Sequence, residues 1–259
     1  MRSPRPSVAR FAALGSFTLR SVAFCAAFGL ATLQPAAEAD AEQAVLVELF
    51  TSQGCSSCPP ADALLGELAE RDDVVAVTLN VDYWDYLGWP DRLASPDYTR
   101  RQRAYQHALG AWTIYTPQMV VQGRTGVVGS VRDDVEEALE QNSAPLPVEV
   151  VLALEDGELV ATVSDAGGGA PDGPASVWFF GYEASVAQAI GGGENNGREI
   201  VYHNVARDMR LLGTWPGGAT EEFRVPLDAA RDGVIVAVQE DAVAGVGAVI
   251  GLARLDLTH

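Results

Sequence analysis

Two cysteines separated by two residues, Cys55 and Cys58, lie where an apolar run from Val45 to Phe50 gives way to a helical pattern. The apolar positions of that pattern are spaced three and four residues apart, at Ala61, Leu64, Leu65, Leu68 and Ala69. Pro59 and Pro60 suit the first turn of a helix, where a missing N–H leaves no hydrogen bond unmade. The sequence therefore predicts a buried strand, a loop with a cysteine pair, and a helix.

Cysteines at this spacing can close a small disulfide, and the unpaired N–H groups and positive dipole end of a helix start stabilise a thiolate. We therefore predict that Cys55 is the attacking thiol, exposed and activated by the helix start, and that Cys58 is the resolving thiol. A disulfide across so short a loop removes little chain entropy from the unfolded state, which favours redox chemistry over a structural bridge. No basic residue adjoins the cysteines, so we expect a moderate reduction potential, with the direction of electron flow open.

Metal binding offers the competing interpretations of the cysteine pair. A structural zinc site usually needs four cysteine or histidine ligands, and Cys25, the third cysteine, falls in a segment that we expect to be removed. We therefore predict no metal and no cofactor beyond the Cys55–Cys58 disulfide. The alternative function is a non-catalytic envelope binding protein. In that case the pair is either a copper(I) site, because soft thiolates suit that metal, or an inert disulfide.

Residues 1–39 have the pattern of a signal peptide. Arg2, Arg5 and Arg10 precede an apolar stretch from Ser21 to Leu33, and small residues lead to a cleavage point after Ala39. The apolar stretch is too short to span a bilayer, so we expect no stable membrane insertion after cleavage. These features predict a secreted or periplasmic protein, in a compartment where disulfides persist. The expected partners are protein thiols or disulfides of the cell envelope.

The charge is strongly acidic. The chain carries 35 acidic residues against 17 basic ones, all of them arginine, for a net charge of -18. Such a surface repels nucleic acid and anionic membranes, and it attracts basic partners mainly at low salt. We therefore exclude nucleic acid as a partner.

The chain after the first helix continues as alternating strands and helices. Val74 to Val81 is a valine-rich apolar run, which is typical of a strand buried on both faces. Ser95 to Asp97 has the residues of a helix start, and residues 117–128 form a hairpin pattern. Ser130 is predicted to cap a last helix, with Val131 on its buried side. The predicted order is strand, helix, strand, helix, strand, strand, helix.

After Pro145 the pattern changes to short strands separated by turns. Seven strands are predicted, at Val148–Leu154, Leu159–Val163, Val177–Tyr182, Ile200–Val205, Glu222–Leu227, Val234–Val238 and Ala248–Leu255. Asp156 and Gly157 form a hairpin signal, and Gly191 to Gly197 is better interpreted as a hairpin turn than as a phosphate loop. The expected fold is an α/β domain over residues 40–145 followed by an all-β antiparallel sandwich-like domain over residues 146–259.

The element order, with the cysteine pair after the first strand and Thr116–Pro117 before the third, resembles the thioredoxin fold over residues 44–142. The resemblance implies that Pro117 is cis and lies against the disulfide, and that the backbone of Thr116 pairs with an extended substrate. It also implies a buried acid that moves protons for the resolving cysteine, and Glu48 in the first strand is similar to that residue. The alternative for Glu48 is a solvent-facing carboxylate.

Longer strings support a narrower resemblance. Val47–Asp62, Val81–Trp89 and Ile114–Val121 are similar to a family of exported bacterial thioredoxin-like proteins, DUF1223, and the similarity continues into Gly193–Gly197 and Tyr202–Val205. The resemblance implies a fold and redox competence, and it supplies no substrate.

The aromatic loop after the second strand contains Trp84 and Trp89. Large aromatic residues usually cover a core, but polar groups on their rings also suit a substrate-binding rim. We include both tryptophans among the predicted substrate-binding residues.

Overall fold

The computed structural model describes residues 44–167, 169, 173–227, 231–241 and 245–257. The predicted signal peptide over residues 1–39, which includes Cys25, lies outside the described residues. Among the helices of the described segments, none combines the length and the apolar character that crossing a bilayer requires.

The first half of the described chain contains the predicted alternation of strands and helices. The strands are β1 (Val45–Thr51), β2 (Val74–Asn80), β3 (Gln118–Val121) and β4 (Thr125–Val128), and the helices are α1 (Pro59–Ala69), α2 (Pro96–Ala108) and α3 (Arg132–Gln141). β1 pairs in parallel with β2 and antiparallel with β3, and β3 pairs antiparallel with β4. The resulting strand order is β2-β1-β3-β4, with β1 inside the sheet.

The helix starts show where local prediction works and where it fails. Ser95 caps α2 as predicted, since its hydroxyl accepts a hydrogen bond from the N–H of Asp97. The predicted start of α3 at Ser130 is wrong, because the helix begins at Arg132 and its N-cap is Val131. Val131 has an extended backbone and is 41% exposed, so it does not join the buried helical stripe as predicted. The later positions of that stripe, Val135, Ala138 and Leu139, are buried as predicted.

The described residues of the second half form seven strands, as predicted. They are β5 (Val148–Glu155), β6 (Glu158–Asp165), β7 (Ala175–Ala189), β8 (Glu199–Trp215), β9 (Glu221–Pro226), β10 (Gly233–Glu240) and β11 (Val249–Asp256). Asp156 and Gly157 both have positive φ, which suits the tight hairpin between β5 and β6.

These seven strands do not form a sheet system of their own. β8 meets the free edge of β2 in parallel at Thr78 and Val205, so one eight-stranded sheet has the order β11-β10-β7-β8-β2-β1-β3-β4. Only β5, β6 and β9 form a separate antiparallel sheet. The expectation of a purely antiparallel second half is therefore wrong at this contact, where Val205, the last residue of a predicted strand, pairs in parallel with Thr78. The fold is mixed α/β.

The alternation of side chains along β1 places the helices in two layers. Leu46 and Phe50 pack in one hydrophobic cluster with residues of α2, whereas Val47 and Leu49 pack in another with α1 and α3. A third cluster fills the space between the eight-stranded and the three-stranded sheets. All residues of β1 are buried, so the loop that follows Thr51 starts from the centre of the protein.

Candidate redox site

The cysteine pair lies in the loop between β1 and α1, as predicted. Cys55 and Cys58 form a disulfide with a distance of 5.4 Å between their Cα atoms. Cys58 is the N-cap of α1, and its carbonyl accepts hydrogen bonds from the N–H groups of Ala61 and Asp62. The helix start therefore lies directly at the disulfide, where its dipole acts on the sulfur chemistry.

Both cysteines are buried. Cys55 is 1% exposed and Cys58 is 0% exposed, whereas Ser56 and Ser57 between them are exposed. The prediction that the helix start exposes Cys55 is therefore wrong for this structure. The physical reason is a cover supplied by the second half of the chain, so the disulfide is not open to a partner in the conformation described.

That cover is the turn between β7 and β8, residues 190–197, which we name the cap turn. The side-chain amide of Asn195 donates to the carbonyl oxygens of Gln53 at 2.9 Å and Cys55 at 2.8 Å, and Asn195 itself is fully buried. The N–H of Ser56 donates to the carboxylate of Glu194 at 3.2 Å, and hydrogen bonds from Ser56 lower the Glu194 pKa. The prediction of a hairpin turn is confirmed, but its position against the cysteine loop was missed.

Pro117 and Thr116 lie at the same end of the sheet as the cysteines. Gln118 opens β3 opposite Phe50 of β1, so the two preceding residues lie beside the end of β1, from which the cysteine loop begins. The Thr116–Pro117 peptide bond is cis, as the resemblance implied. The ring N–H of Trp84 donates to the Thr116 hydroxyl at 2.8 Å, which joins the aromatic loop to this segment.

Trp84 and Trp89 are both partly buried and hold the cysteine loop from outside. A Cβ added to Gly54 would lie 3.0 Å from the Cβ of Trp84, so the loop backbone passes closely under this side chain. The ring N–H of Trp89 donates to the side-chain oxygen of Gln53 at 2.7 Å. The Trp89 ring also packs against Gly191 of the cap turn. The structure therefore brings both predicted tryptophans to the site.

Glu48 is fully buried, so the alternative of a solvent-facing carboxylate is wrong. Both of its oxygens are occupied, since Arg101 binds them through Nε and Nη2 and the Tyr105 hydroxyl donates to one of them. Gln239 of β10 completes the network by bonding to Arg101 at 2.7 Å and to Tyr105 at 2.9 Å. Leu46 and Glu48 share the face of β1 opposite α1. The acid that the resemblance pointed to is thus held in an ion pair.

Asp62 is the buried acid that the sequence analysis missed. It follows Cys58 by one helical turn, and its Oδ1 accepts a hydrogen bond from the Thr51 hydroxyl at 2.7 Å. Its Oδ2 has no hydrogen-bond partner within the described parts of the chain. Burial raises the pKa of Asp62 to about 8, the Thr51 hydrogen bond acts in the opposite direction, and the charge of Asp91 raises it further. A pKa of about 8 lets Asp62 change its protonation state close to neutral pH. The spacing of four residues from Cys58 was its sequence signal.

A third buried acid, Asp91, lies behind the cysteine loop. It accepts hydrogen bonds from the N–H of Gln53 at 2.9 Å and from the Asn80 amide at 3.0 Å. Burial raises the pKa of Asp91, and these hydrogen bonds counteract part of that effect. Asp91 and the cap turn therefore both hold the loop before Cys55, since each forms a hydrogen bond with the backbone of Gln53.

The groups gathered at the cysteine loop are a disulfide and two buried carboxyls, Asp62 and Asp91. Within the described ranges, no group of three or more histidine, cysteine, aspartate or glutamate side chains is arranged to hold a metal ion. A disulfide at a helix start, with a protonatable carboxyl one turn away, has the groups that thiol–disulfide exchange requires.

Comparison with known proteins places this chain in a family. A crystal structure of the protein AGR_C_4864 from Agrobacterium tumefaciens is 31% identical, covers 83% of this chain and 96% of its own, and superimposes with a TM-score of 0.69. The structure of HBP35 of Porphyromonas gingivalis shares the fold at 14% identity, with 85% and 77% covered and a TM-score of 0.59. No curated protein matches the sequence. The model of the family described as protein of unknown function (DUF1223) matches residues 46–239, and the chain therefore belongs to the DUF1223 family.

Proposed function

We propose that this protein is an exported thiol–disulfide oxidoreductase with a thioredoxin-like site in its first half. The observation that carries the proposal is the Cys55–Cys58 disulfide at the start of α1, directly after the central strand β1. The order β2-β1-β3-β4, with α1 and α3 on one face and α2 on the other, supports a thioredoxin-like arrangement. The Thr116–Pro117 segment at the same end of the sheet adds to this support.

The exchange proceeds in two balanced steps when the reduced protein meets a partner disulfide. The Cys55 thiolate attacks one partner sulfur, a mixed disulfide forms, and the other partner sulfur leaves as a thiolate. Cys58 then loses its proton and attacks the Cys55 sulfur, which releases the second partner thiolate and closes the Cys55–Cys58 bond. The partner is reduced by two electrons, and the protein is oxidised by two. With an oxidised protein and a partner dithiol, the same steps run in reverse.

We assign the proton transfer at Cys58 to Asp62. A pKa of about 8 is close to that of an ordinary thiol, and such a match favours general acid–base catalysis. Glu48 is less suited to this role, because its two oxygens already bind Arg101 and Tyr105. Glu48 therefore acts on the stability of the fold, and its predicted catalytic role passes to Asp62.

The partner binds at the end of the sheet that carries the cysteines. Thr116 offers its backbone to an extended segment of the partner, and Trp84 fixes the Thr116 side chain. Trp89 holds the cysteine loop and the cap turn together. Because Cys55 is 1% exposed, the cap turn moves away before the partner sulfur reaches it. The partners are protein thiols or disulfides of the cell envelope, in keeping with the signal-peptide pattern of residues 1–39.

A trapping experiment tests this function. Cys58→Ser removes the resolving thiol, so mixed disulfides between Cys55 and envelope proteins should accumulate and disappear on reduction. The matched controls are Cys55→Ser and the double variant, which lack the attacking thiol and should trap nothing. Adducts are counted on non-reducing gels and identified by mass spectrometry. If Cys58→Ser traps no more protein than the double variant, the oxidoreductase function is refuted.

A further inference from the structure

A groove runs from the cysteine site along the outer side of α1. It encloses about 550 Å³ between α1 and the first residues of β8. Pro59, the residue after Cys58, lies at one end, and Glu70 lies at the other end of the helix. Because Pro59 adjoins Cys58 in the chain, a segment of a partner bound at the cysteines can extend towards this groove.

The walls of the groove carry negative charge. Glu70 from α1 and Glu199 from β8 are exposed, and they face the groove from its two sides. A third carboxylate, Glu67, is bound by Arg132 at 2.6 Å and is therefore largely neutralised. The floor is made of small and apolar residues, where the ring of His203 packs closely over Gly66. The groove suits a side chain with an apolar stem and a cationic end.

A separate observation shows that the groove lacks a ligand group. Asp62 lines it and is 2% exposed, yet its Oδ2 has no hydrogen-bond partner in the described structure. A buried carboxyl oxygen without a partner is costly, and such a group is usually satisfied in the functional complex. An arginine or lysine end group that enters the groove beside Pro59 supplies the missing donor, because its positive charge favours the ionised form of Asp62. The carboxylates at the rim alone do not point to this occupant, whereas the rim carboxylates together with the unsatisfied Asp62 oxygen do.

We propose that this groove binds a basic side chain of the redox partner, so that the preferred substrates are disulfides or thiols flanked by arginine or lysine. This inference rests on the proposed oxidoreductase function and names its substrate class. Arginine fits best, because its planar fork can bond to Asp62 and still has donors for a second acceptor, while the rim carboxylates act on its charge from a distance. The acidic surface of the chain acts in the same direction by attracting basic partners.

Two matched disulfide peptides test the proposal. One carries an arginine next to the cysteine, and the other carries citrulline, which has the same shape without the charge. Reduced protein should react about tenfold faster with the arginine peptide, since several charge pairs of modest strength combine in the groove. The preference should shrink towards one in Glu70→Gln/Glu199→Gln and at high salt. The control variant Glu140→Gln, on α3 outside the groove lining, should keep it.

Peptides in which serine replaces cysteine separate the groove from the redox function. Their binding to the oxidised protein, followed by fluorescence anisotropy, should show the same preference for arginine. If the serine peptides show the preference but neither disulfide peptide reacts, the groove stands and the oxidoreductase function is refuted. If the disulfide peptides react at equal rates, the groove proposal is refuted and the function stands. A preference unchanged in Glu70→Gln/Glu199→Gln also refutes the groove, because the charge is then recognised elsewhere.

Discussion

Two fully buried carboxyl groups on opposite sides of β1 have been accommodated in different ways. Glu48 lies under α2 with both oxygens bonded, and its charge is matched by Arg101. Asp62 lies on α1 with a single hydrogen bond, and burial raises its pKa to about 8. A buried carboxyl is either paired with a cation or kept neutral, and this protein uses both solutions within one layer of sheet. The paired acid stabilises, and the neutral acid remains able to exchange a proton.

The two networks also differ in what they connect. Through Arg101 and Gln239, Glu48 joins β1 and α2 to β10, which lies in the second half of the chain. The guanidinium of Arg101 also lies 5.0 Å from the ring centres of Trp178 and Phe180. Among the described residues, the Asp62 side chain hydrogen-bonds to Thr51 alone, and it lines the groove along α1. The Glu48 network, which has many partners, therefore belongs to the core. Asp62, which has few, belongs to the cysteine site.

The largest expected effect follows from breaking the paired acid. Arg101→Met leaves Glu48 buried without its cation, so the free energy of unfolding should fall by about 3–5 kcal/mol. Urea denaturation followed by tryptophan fluorescence measures the loss. Glu48→Gln/Arg101→Met removes both charges and should recover part of the stability. A loss below about 1 kcal/mol in the single variant would show that the pair is not the main stabilising contact at this position.

The next effect concerns Asp62 and should appear in the rate of the resolving step. Asp62→Asn keeps the shape of the side chain but cannot accept the Cys58 proton, so the resolving step should slow by about 10-fold to 100-fold. Stopped-flow measurement of the decay of a preformed mixed disulfide isolates this step. The rate at which Cys55 forms the mixed disulfide should change much less. Equal slowing of both steps would place Asp62 in the general support of the loop.

The same variant makes a prediction about pH. The pKa of Asp62 is about 8 in the folded protein and 3.8 in the reference state, so between these values the folded protein holds a proton that the unfolded chain has lost. The stabilising contribution is therefore complete below pH 3.8 and is lost as pH rises through 8. Asp62→Asn should show a smaller decline in the free energy of unfolding over this range. Asp91 titrates in the same direction in both proteins, so some decline remains.

Most of the fold could be predicted because its signals are local. The helix of Leu64 and Leu68 has a clear period, and Ser95 caps its helix with residues adjacent in sequence. The start of α3 failed because Ser130 is followed by Val131 in an extended conformation, a choice that the pattern does not encode. The joining of β8 to β2 also has no local signal, because its contacts join residues far apart in sequence: Thr78 pairs with Val205, and its hydroxyl donates to the carbonyl oxygen of His203.

The positions of the two cysteines could be predicted from the sequence, but most of the residues that surround them could not. Cys55, Cys58 and Pro117 were found because their positions between elements carry information. The burial of Cys55 was missed because Asn195, which lies 140 residues away in sequence, supplies the cover. The choice between Glu48 and Asp62 depended on Arg101, which lies 53 residues from Glu48 and carries no mark of its role in the sequence.

The smallest expected effect concerns a third carboxylate, Glu194, which is exposed and bonded to the N–H of Ser56. In the reduced protein its negative charge lies near the helix start that stabilises a Cys55 thiolate, so it should oppose formation of that thiolate. Glu194→Gln should therefore lower the Cys55 pKa and raise the rate of alkylation at neutral pH by about twofold to threefold, within the range of an exposed charge. The pH dependence of alkylation separates this effect from simple opening of the cap turn, because opening raises the rate at every pH without moving the titration midpoint. An unchanged midpoint would show that Glu194 acts only by holding the cap turn against the cysteine loop. The control variant Glu140→Gln should change neither the midpoint nor the rate.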